Sequence, residues 1–402
     1  MIQSYPITFE MQFVFSTVSE AQIQRSRGGN EMLAAINYDG PRDQVITGRP
    51  GSGKTTITVM RARRLTALGK NILLLTKHKL LVYSLKKAYR TVYSIYGIDE
   101  WFAHITRGKW LSHYTTGAEI KKLITPTAFR YDEVLVDEGQ DLPAYMYEAF
   151  PFAGNRFLVG ADTAQRIYPD GADAATIEAT LVEQGRVIKP TELQYNYRNY
   201  VETYTFARQF VPEVGAAQSG LIIANTTKGA GGQERLPRVI QVVNKFARLA
   251  NLLEENSAVN VAIVLFHRDE VQEYYDELTR RGFECSLYYN GMEEDERQQV
   301  AADMQSIVIT TYKSVKGQEF PVVIMPAMEQ AQTQHYHYPS LYYVGCTRAT
   351  ERLYLLYQGR NLPDCLASFD KSTYRHIQAG DVWPQPSAPI LKQPKLDEDA
   401  PF

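Results

Sequence analysis

Between Gly48 and Thr56 the chain reads GRPGSGKTT, and Gly48, Gly53, Lys54 and Thr55 fill the pattern G-x-x-x-x-G-K-[ST]. An apolar strand-like run, Gln44 to Thr47, precedes this loop and a basic helix-like segment, Lys54 to Leu68, follows it. A strand that turns through glycines into a helix aims successive backbone N–H groups at a phosphate. Gly48, Pro50, Gly51, Ser52, Gly53, Lys54, Thr55 and Thr56 are therefore expected to cradle phosphates, with Lys54 reaching the β- and γ-phosphates and the Thr55 hydroxyl ligating Mg²⁺. Further along, the run VLV at 134–136 leads into Asp137-Glu138-Gly139-Gln140-Asp141. Carboxylates at the carboxyl end of a parallel strand lie where ligands bind in open α/β sheets. Asp137 is expected to hold the metal through its water shell, and Glu138 to orient and deprotonate an attacking water.

Positioning such groups takes a framework, and the rest of the sequence outlines one. Buried strands are expected at Asn71–Leu75, Val134–Val136 and Arg156–Val159, alternating with helices, which makes a doubly wound parallel-sheet domain. After Lys189-Pro190 the rhythm resumes without a second phosphate loop: Val261–Phe266, a helix over Asp269–Arg281, Ile307–Thr311, Val322–Met325 and Arg352–Tyr357. The expected division is a P-loop ATPase domain over 1–188, a second domain over 189–379 and a flexible proline-rich tail over 380–402. A Gly/Ala-rich stretch between Pro212 and Pro237 reads as an excursion or mobile connection.

With 402 residues, 44% of them hydrophobic, the chain can bury more than one core. A net charge of only −2 does not announce a nucleic-acid partner, so any such surface must be a local patch. Three cysteines without a C-x-x-C pair argue against a disulfide framework and a structural zinc site. His335-Tyr336-His337-Tyr338 is a weak metal signal without cysteine or carboxylate partners nearby. The absence of a membrane-length apolar run and of a signal-peptide pattern points to a soluble, cytoplasmic protein with no membrane partner.

The motifs together resemble the superfamily 1 helicases of the UvrD/Rep type. DEGQD is similar to the family's second motif, and Asp162-Thr163-Ala164-Gln165-Arg166-Ile167-Tyr168 to D-x-x-Q-x-I-Y. Leu193-Gln194-Tyr195-Asn196-Tyr197-Arg198 resembles L-x-x-N-Y-R, and Thr311 with Lys316-Gly317-Gln318-Glu319-Phe320 resembles T-x-H-x-x-K-G-x-E-F. Tyr343-Val344-Gly345-Cys346-Thr347-Arg348-Ala349 resembles Y-V-A-x-T-R-A, and all of these stand in the family's order. The resemblance implies two tandem RecA-like doubly wound α/β domains with the ATP site in the cleft between them. It implies an ATPase and helicase that binds single-stranded DNA, with RNA not excluded, and moves 3′ to 5′.

Several roles follow from the resemblance alone. Arg198 and Arg348, from the domain without the loop, would serve the γ-phosphate, where phosphoryl transfer needs positive charge. Gln140 and Gln165 would sense that phosphate or its water; Gly317 and Glu319 would line the nucleotide site, and Tyr197 or Tyr195 would stack on the base. Thr76, Lys77, Lys79, Thr311, Lys313, Ser314 and Lys316 would hold the strand through its phosphates.

The chain also departs from that family. The adenine-reading glutamine expected upstream of the loop falls at or near Met32, and neither Gln22 nor Gln24 fits it. Pro169-Asp170-Gly171-Ala172 stands where a tryptophan-bearing W-R-G-A is usual, Lys313 replaces the histidine of T-x-H, and the large accessory insertions have no room. Two other readings remain open: an ATP-gated switch subunit that controls a nuclease or other effector partner, as in phage defence, and a small-molecule kinase. The arginines beyond residue 190 argue against the kinase.

Overall fold

A computed structural model describes residues 19–88, 94–108, 118–119, 122, 130–211, 228, 230–332 and 338–381. His335, Tyr336 and His337, most of the stretch after Pro212 and the tail from 382 onward lie outside these residues. The chain divides by its contacts into two units. Among the described residues, one runs to Arg198 and takes in Val211; the other comprises Asn199–Phe210 and the residues from Lys228 onward. This division falls ten residues beyond the boundary expected at 188/189.

The first unit is built on a six-stranded sheet: β1 (Asp43–Gly48), β2 (Ile72–Thr76), β3 (Ser94–Gly97), β4 (Glu133–Asp137), β5 (Phe157–Ala161) and β6 (Ile188–Leu193). Its order is β3-β2-β4-β5-β1-β6, and every pairing is parallel. Strands β2, β4 and β5 are buried along their whole length, as expected for parallel strands covered on both faces. Thr76 is in register with Asp137, and Thr47 with Ala161. The carboxyl ends of β2 and β4, and of β1 and β5, are thereby aligned, and the loops that leave them are brought side by side.

The helix Lys54–Ala67 follows β1 and buries Ile57, Val59, Met60, Ala62 and Leu65. It also buries Arg61. The guanidinium of Arg61 donates to Glu133 Oε2 on β4 at 2.8 Å, and to the carbonyls of Ile36 and Tyr38 at 3.0 and 2.8 Å. One cation thus ties the loop helix to the strand that carries Asp137. Removing one partner of a buried pair strands the other charge, so Glu133→Ala is expected to lower unfolding free energy by about 3–5 kcal/mol in urea titrations. A loss below about 1 kcal/mol would show that the pair is dispensable.

The second unit carries seven parallel strands: β7 (Arg238–Gln241), β8 (Val261–Leu265), β9 (Cys285–Tyr288), β10 (Ile307–Thr311), β11 (Phe320–Met325), β12 (Ala349–Tyr357) and β13 (Arg375–Ile377). Their order is β13-β7-β12-β11-β8-β10-β9. Its core gathers Ile240, Leu249, Val261, Ile263, Tyr274, Ile309, Val322, Ile324 and Tyr354. Arg348 lies between the helix Pro339–Cys346 and β12, and Thr311 ends β10.

Candidate nucleotide site

The loop between β1 and its helix is shaped by two glycines in the left-handed region, Gly51 at φ +72° and Gly53 at φ +92°. A side chain at Gly51 would collide with Cβ of Arg198 at 2.5 Å, and one at Gly53 with Met32 Cε at 2.6 Å. Glycine here serves both the turn and the close approach of neighbours. Met32 therefore stands against the loop where the sequence placed the missing adenine-reading glutamine, and it offers a thioether in place of an amide. Ser52 contributes a buried hydroxyl with no hydrogen-bond partner among the described residues. An orphaned buried donor inside a glycine-rich turn at a helix N-terminus fits a phosphate oxygen.

Lys54 is buried and donates to the carbonyls of Gly48 and Arg49 at 2.7 and 3.1 Å. Its Nζ lies 3.9 Å from Asp162 Oδ2. Burial holds the Lys54 ammonium below its usual pKa, against the opposing pull of Asp162, Glu138 and Asp137, and Arg198 adds to the depression.

At the end of β4, Asp137 Oδ2 accepts the Thr55 hydroxyl at 2.9 Å, so the two expected Mg²⁺ ligands already meet. The Asp137 carboxyl is pushed up to about 7, chiefly by burial and then by the adjacent Glu138 charge. That is a cluster short of positive charge, and with a hydroxyl and carboxylates as donors it suits a hard divalent cation. Glu138 adopts φ +55°, rare for a residue with a side chain, and backbone strain of this kind concentrates at functional sites. Tyr147 supports the turn beneath by donating to the Gly139 carbonyl at 2.6 Å.

From Glu138 a chain of hydrogen bonds runs through the site. Gln140 Nε2 donates to Glu138 Oε2 at 2.6 Å, while Gln140 Oε1 accepts the Asp162 N–H at 2.9 Å. Asp162 Oδ2 then accepts Gln165 Nε2 at 2.8 Å. Asp162 is the residue that sequence reasoning left out of the site, although it opens the D-x-x-Q motif. It joins Lys54, Gln140 and Gln165 in one place.

Arg198 also belongs here. The expectation that it comes from the domain without the loop is replaced by a local placement: Tyr197 N–H donates to the Gly51 carbonyl at 2.8 Å, and Arg198 N–H to Asn196 Oδ1 at 2.9 Å. The reason is β6, which pairs with β1 and delivers the segment after Leu193 onto the loop. Tyr197 OH donates to the Arg27 carbonyl at 2.9 Å, and the Arg27 guanidinium lies 5.7 Å from the centre of the Tyr195 ring.

The structure does not gather every expected residue into this cluster. Gly317, Glu319, Arg348, Thr311, Lys313, Ser314 and Lys316 belong to the second unit. Arg348 is buried, donating to the carbonyls of Val344 and Gln318 at 3.2 and 3.3 Å. Lys316 is fully buried, as is Thr76 in the first unit, so neither presents itself as a surface phosphate contact. Lys313 is exposed, and Lys77 is half-buried with its ammonium 4.3 Å from the centre of the Tyr168 ring. Thr311 and Ser314 share a hydroxyl hydrogen bond of 2.8 Å. Among the described residues there is no group of three or more metal-ligating side chains of His, Cys, Asp or Glu, and no helix is long and apolar enough to cross a membrane.

Two parallel α/β sheets, one bearing a phosphate loop, define the class. Two structures of Saccharomyces cerevisiae Dbp5 bound to RNA and ADP–BeF3, one a point variant, match with TM-scores of 0.56. They are 14% and 12% identical and cover 88% and 92% of this chain, and 89% and 95% of their own. At such identity the likeness shows the fold alone, and that fold is a pair of RecA-like units. A C-terminal domain of a possible DNA helicase from a Lactobacillus is also similar, with a TM-score of 0.34 and 20% identity over 45% of this chain and 98% of its own. Residues 306–356 match the family model of the UvrD-like helicase C-terminal domain, a segment that spans β10 to β12 and includes Arg348. Over this segment the chain resembles the UvrD-like helicases. No curated protein sequence matches it.

Proposed function

We propose that the chain is an ATP-dependent, UvrD-like motor that binds single-stranded DNA and couples ATP hydrolysis to 3′ to 5′ translocation or remodelling. The observation that carries this reading is the continuous arrangement of Thr55 with Asp137, and of Glu138 through Gln140 and Asp162 to Gln165, beside Lys54. A divalent cation held here would supply positive charge to the phosphates. Thr55 and Asp137 would hold that ion, Lys54 would exchange its loop carbonyls for phosphate oxygens, and Glu138 would take the proton of the attacking water. Arg198 would supply further positive charge. The Dbp5 structures contain ADP–BeF3 and RNA, which supports nucleotide and nucleic acid as ligands of this fold.

Steady-state ATPase measurements with single-stranded DNA, duplex DNA and RNA test this reading. Turnover is expected to rise with single-stranded DNA; a rate indifferent to every nucleic acid removes the motor. Duplex separation demands more, because base pairs must be opened at about 1.4 kcal/mol per step. Pro169 and Asp170 are exposed where the resemblance calls for a stacking tryptophan. The protein alone is therefore expected to displace short strands from a 3′-tailed substrate and to fail on long ones. Processive opening of a long duplex would show that the absent platform is not needed.

A further inference from the structure

One buried pair in the first unit serves neither phosphate nor metal. His78 and Asp141 are both almost wholly buried, and His78 Nε2 lies 2.8 Å from Asp141 Oδ2. A carboxylate only accepts, so Nε2 donates in this bond and Nδ1 is the ring's remaining nitrogen. That Nδ1 is buried with no hydrogen-bond partner among the described residues. An apolar side chain would fill the space without leaving a polar atom unsatisfied, which makes packing alone a poor account of a histidine here.

The pair's neighbours show what it connects. His78 follows Thr76 and Lys77 in the loop that leaves β2. Asp141 closes the short turn Gly139–Asp141, with its N–H donating to the Glu138 carbonyl at 3.0 Å. Its other oxygen accepts the N–H of Ile167 at 3.4 Å, next to Tyr168, whose ring faces the Lys77 ammonium. The loop after β2 therefore grips both segments that carry hydrolytic side chains: the turn bearing Glu138 and Gln140 through His78, and the segment bearing Gln165 through Lys77.

We propose that the His78–Asp141 hydrogen bond is the link by which a single strand engaging the loop after β2 repositions Glu138 and Gln140, making His78 a positioning residue for strand-stimulated hydrolysis. The inference rests on the motor reading above. Displacing the loop backbone at His78 either breaks this bond, leaving a buried carboxylate short of a donor, or carries the turn with it. The penalty for an unsatisfied buried charge favours the second course.

The full chain, ATP and a labelled oligo-dT strand provide the test. His78→Leu keeps bulk without a donor, whereas His78→Gln places an amide N–H near the position of Nε2. Strand stimulation of ATPase is expected to fall about tenfold in His78→Leu, within the usual range of coupling between sites, and to recover substantially in His78→Gln. Turnover without strand, and oligo-dT affinity by fluorescence anisotropy, are expected to stay within about threefold of wild type. Should thermal unfolding show that His78→Leu does not fold, His78→Asn takes its place with the same expected loss, since its amide is too short to reach Asp141. Undiminished stimulation in the variant, or equal loss of basal and stimulated rates, overturns the link while leaving the motor intact. A wild-type protein stimulated by neither oligo-dT nor an RNA strand overturns both.

Discussion

Arg198→Ala is expected to lower ATP turnover by roughly 10³- to 10⁵-fold, the range an arginine finger commands in phosphoryl transfer, while ATP affinity changes little. The geometry explains the asymmetry. The backbone of Tyr197 and Arg198 rests on Gly51, and the charge of Arg198 is close enough to depress the pKa of Lys54. Lys54 and the N–H groups of the loop are placed to hold the ground-state phosphates, so Arg198 is expected to add little to ATP affinity. As the transferring phosphate loosens, charge accumulates on its oxygens and the second cation becomes fully effective. Equilibrium nucleotide binding alongside single-turnover hydrolysis separates the two effects. Equal losses in both would make Arg198 a ground-state clamp. Arg198→Lys retains the charge without the planar fork and is expected to recover only part of the rate.

What the sequence made legible follows from where each strand lies in its sheet. The interior strands β1, β2, β4, β5, β8, β10, β11 and β12 were all anticipated within a few residues, because strands covered on both faces read as unbroken apolar runs. The strands without a signal are the edges β3, β6, β9 and β13, together with the four-residue β7 beside one of them. An edge strand needs only one apolar face and one bonded side. β6 shows the consequence: IKPTEL contains a proline and two charges, and it reads as a linker. Proline lacks an N–H, yet an edge strand has one side that needs no partner. Misreading β6 as a boundary is what assigned Arg198 to the second domain.

The candidate site was legible where chemistry fixes residue type at fixed spacing. Lys54, Thr55, Asp137 and Glu138, singled out by their motifs, lie near one another in the first unit. Asp162 and His78 were not legible as site residues, because their importance lies in partners 22 and 63 positions away in the chain. No local pattern encodes such pairings; they exist only once parallel strands align their carboxyl ends. Lys316 errs in the opposite direction. Its residue type suits a phosphate contact, but burial overrides type.

Glu138→Gln is expected to retain ATP while slowing hydrolysis by about 10²- to 10⁴-fold, the usual contribution of a positioned general base. The substitution is nearly isosteric and sits on a backbone already fixed at φ +55° by the turn below it, so the fold should tolerate it. Its chemical effect is twofold. The amide cannot take a proton from water, and the oxygen that accepts from Gln140 at 2.6 Å is either lost or made a weaker acceptor. Because Gln140 also receives the Asp162 N–H, the disturbance reaches Asp162, and through it Gln165 and Lys54. Removing one charge beside Asp137 should, at the same time, ease the repulsion that raises the Asp137 carboxyl and so favour its ionised, metal-binding form. Nucleotide affinity is therefore expected to hold or improve as turnover collapses, giving a protein that traps ATP. Filter binding with labelled ATP and rapid-quench hydrolysis measure the two quantities separately. Unchanged turnover would remove Glu138 from the role of base, and a parallel loss of affinity would place it among the ligands of the metal instead.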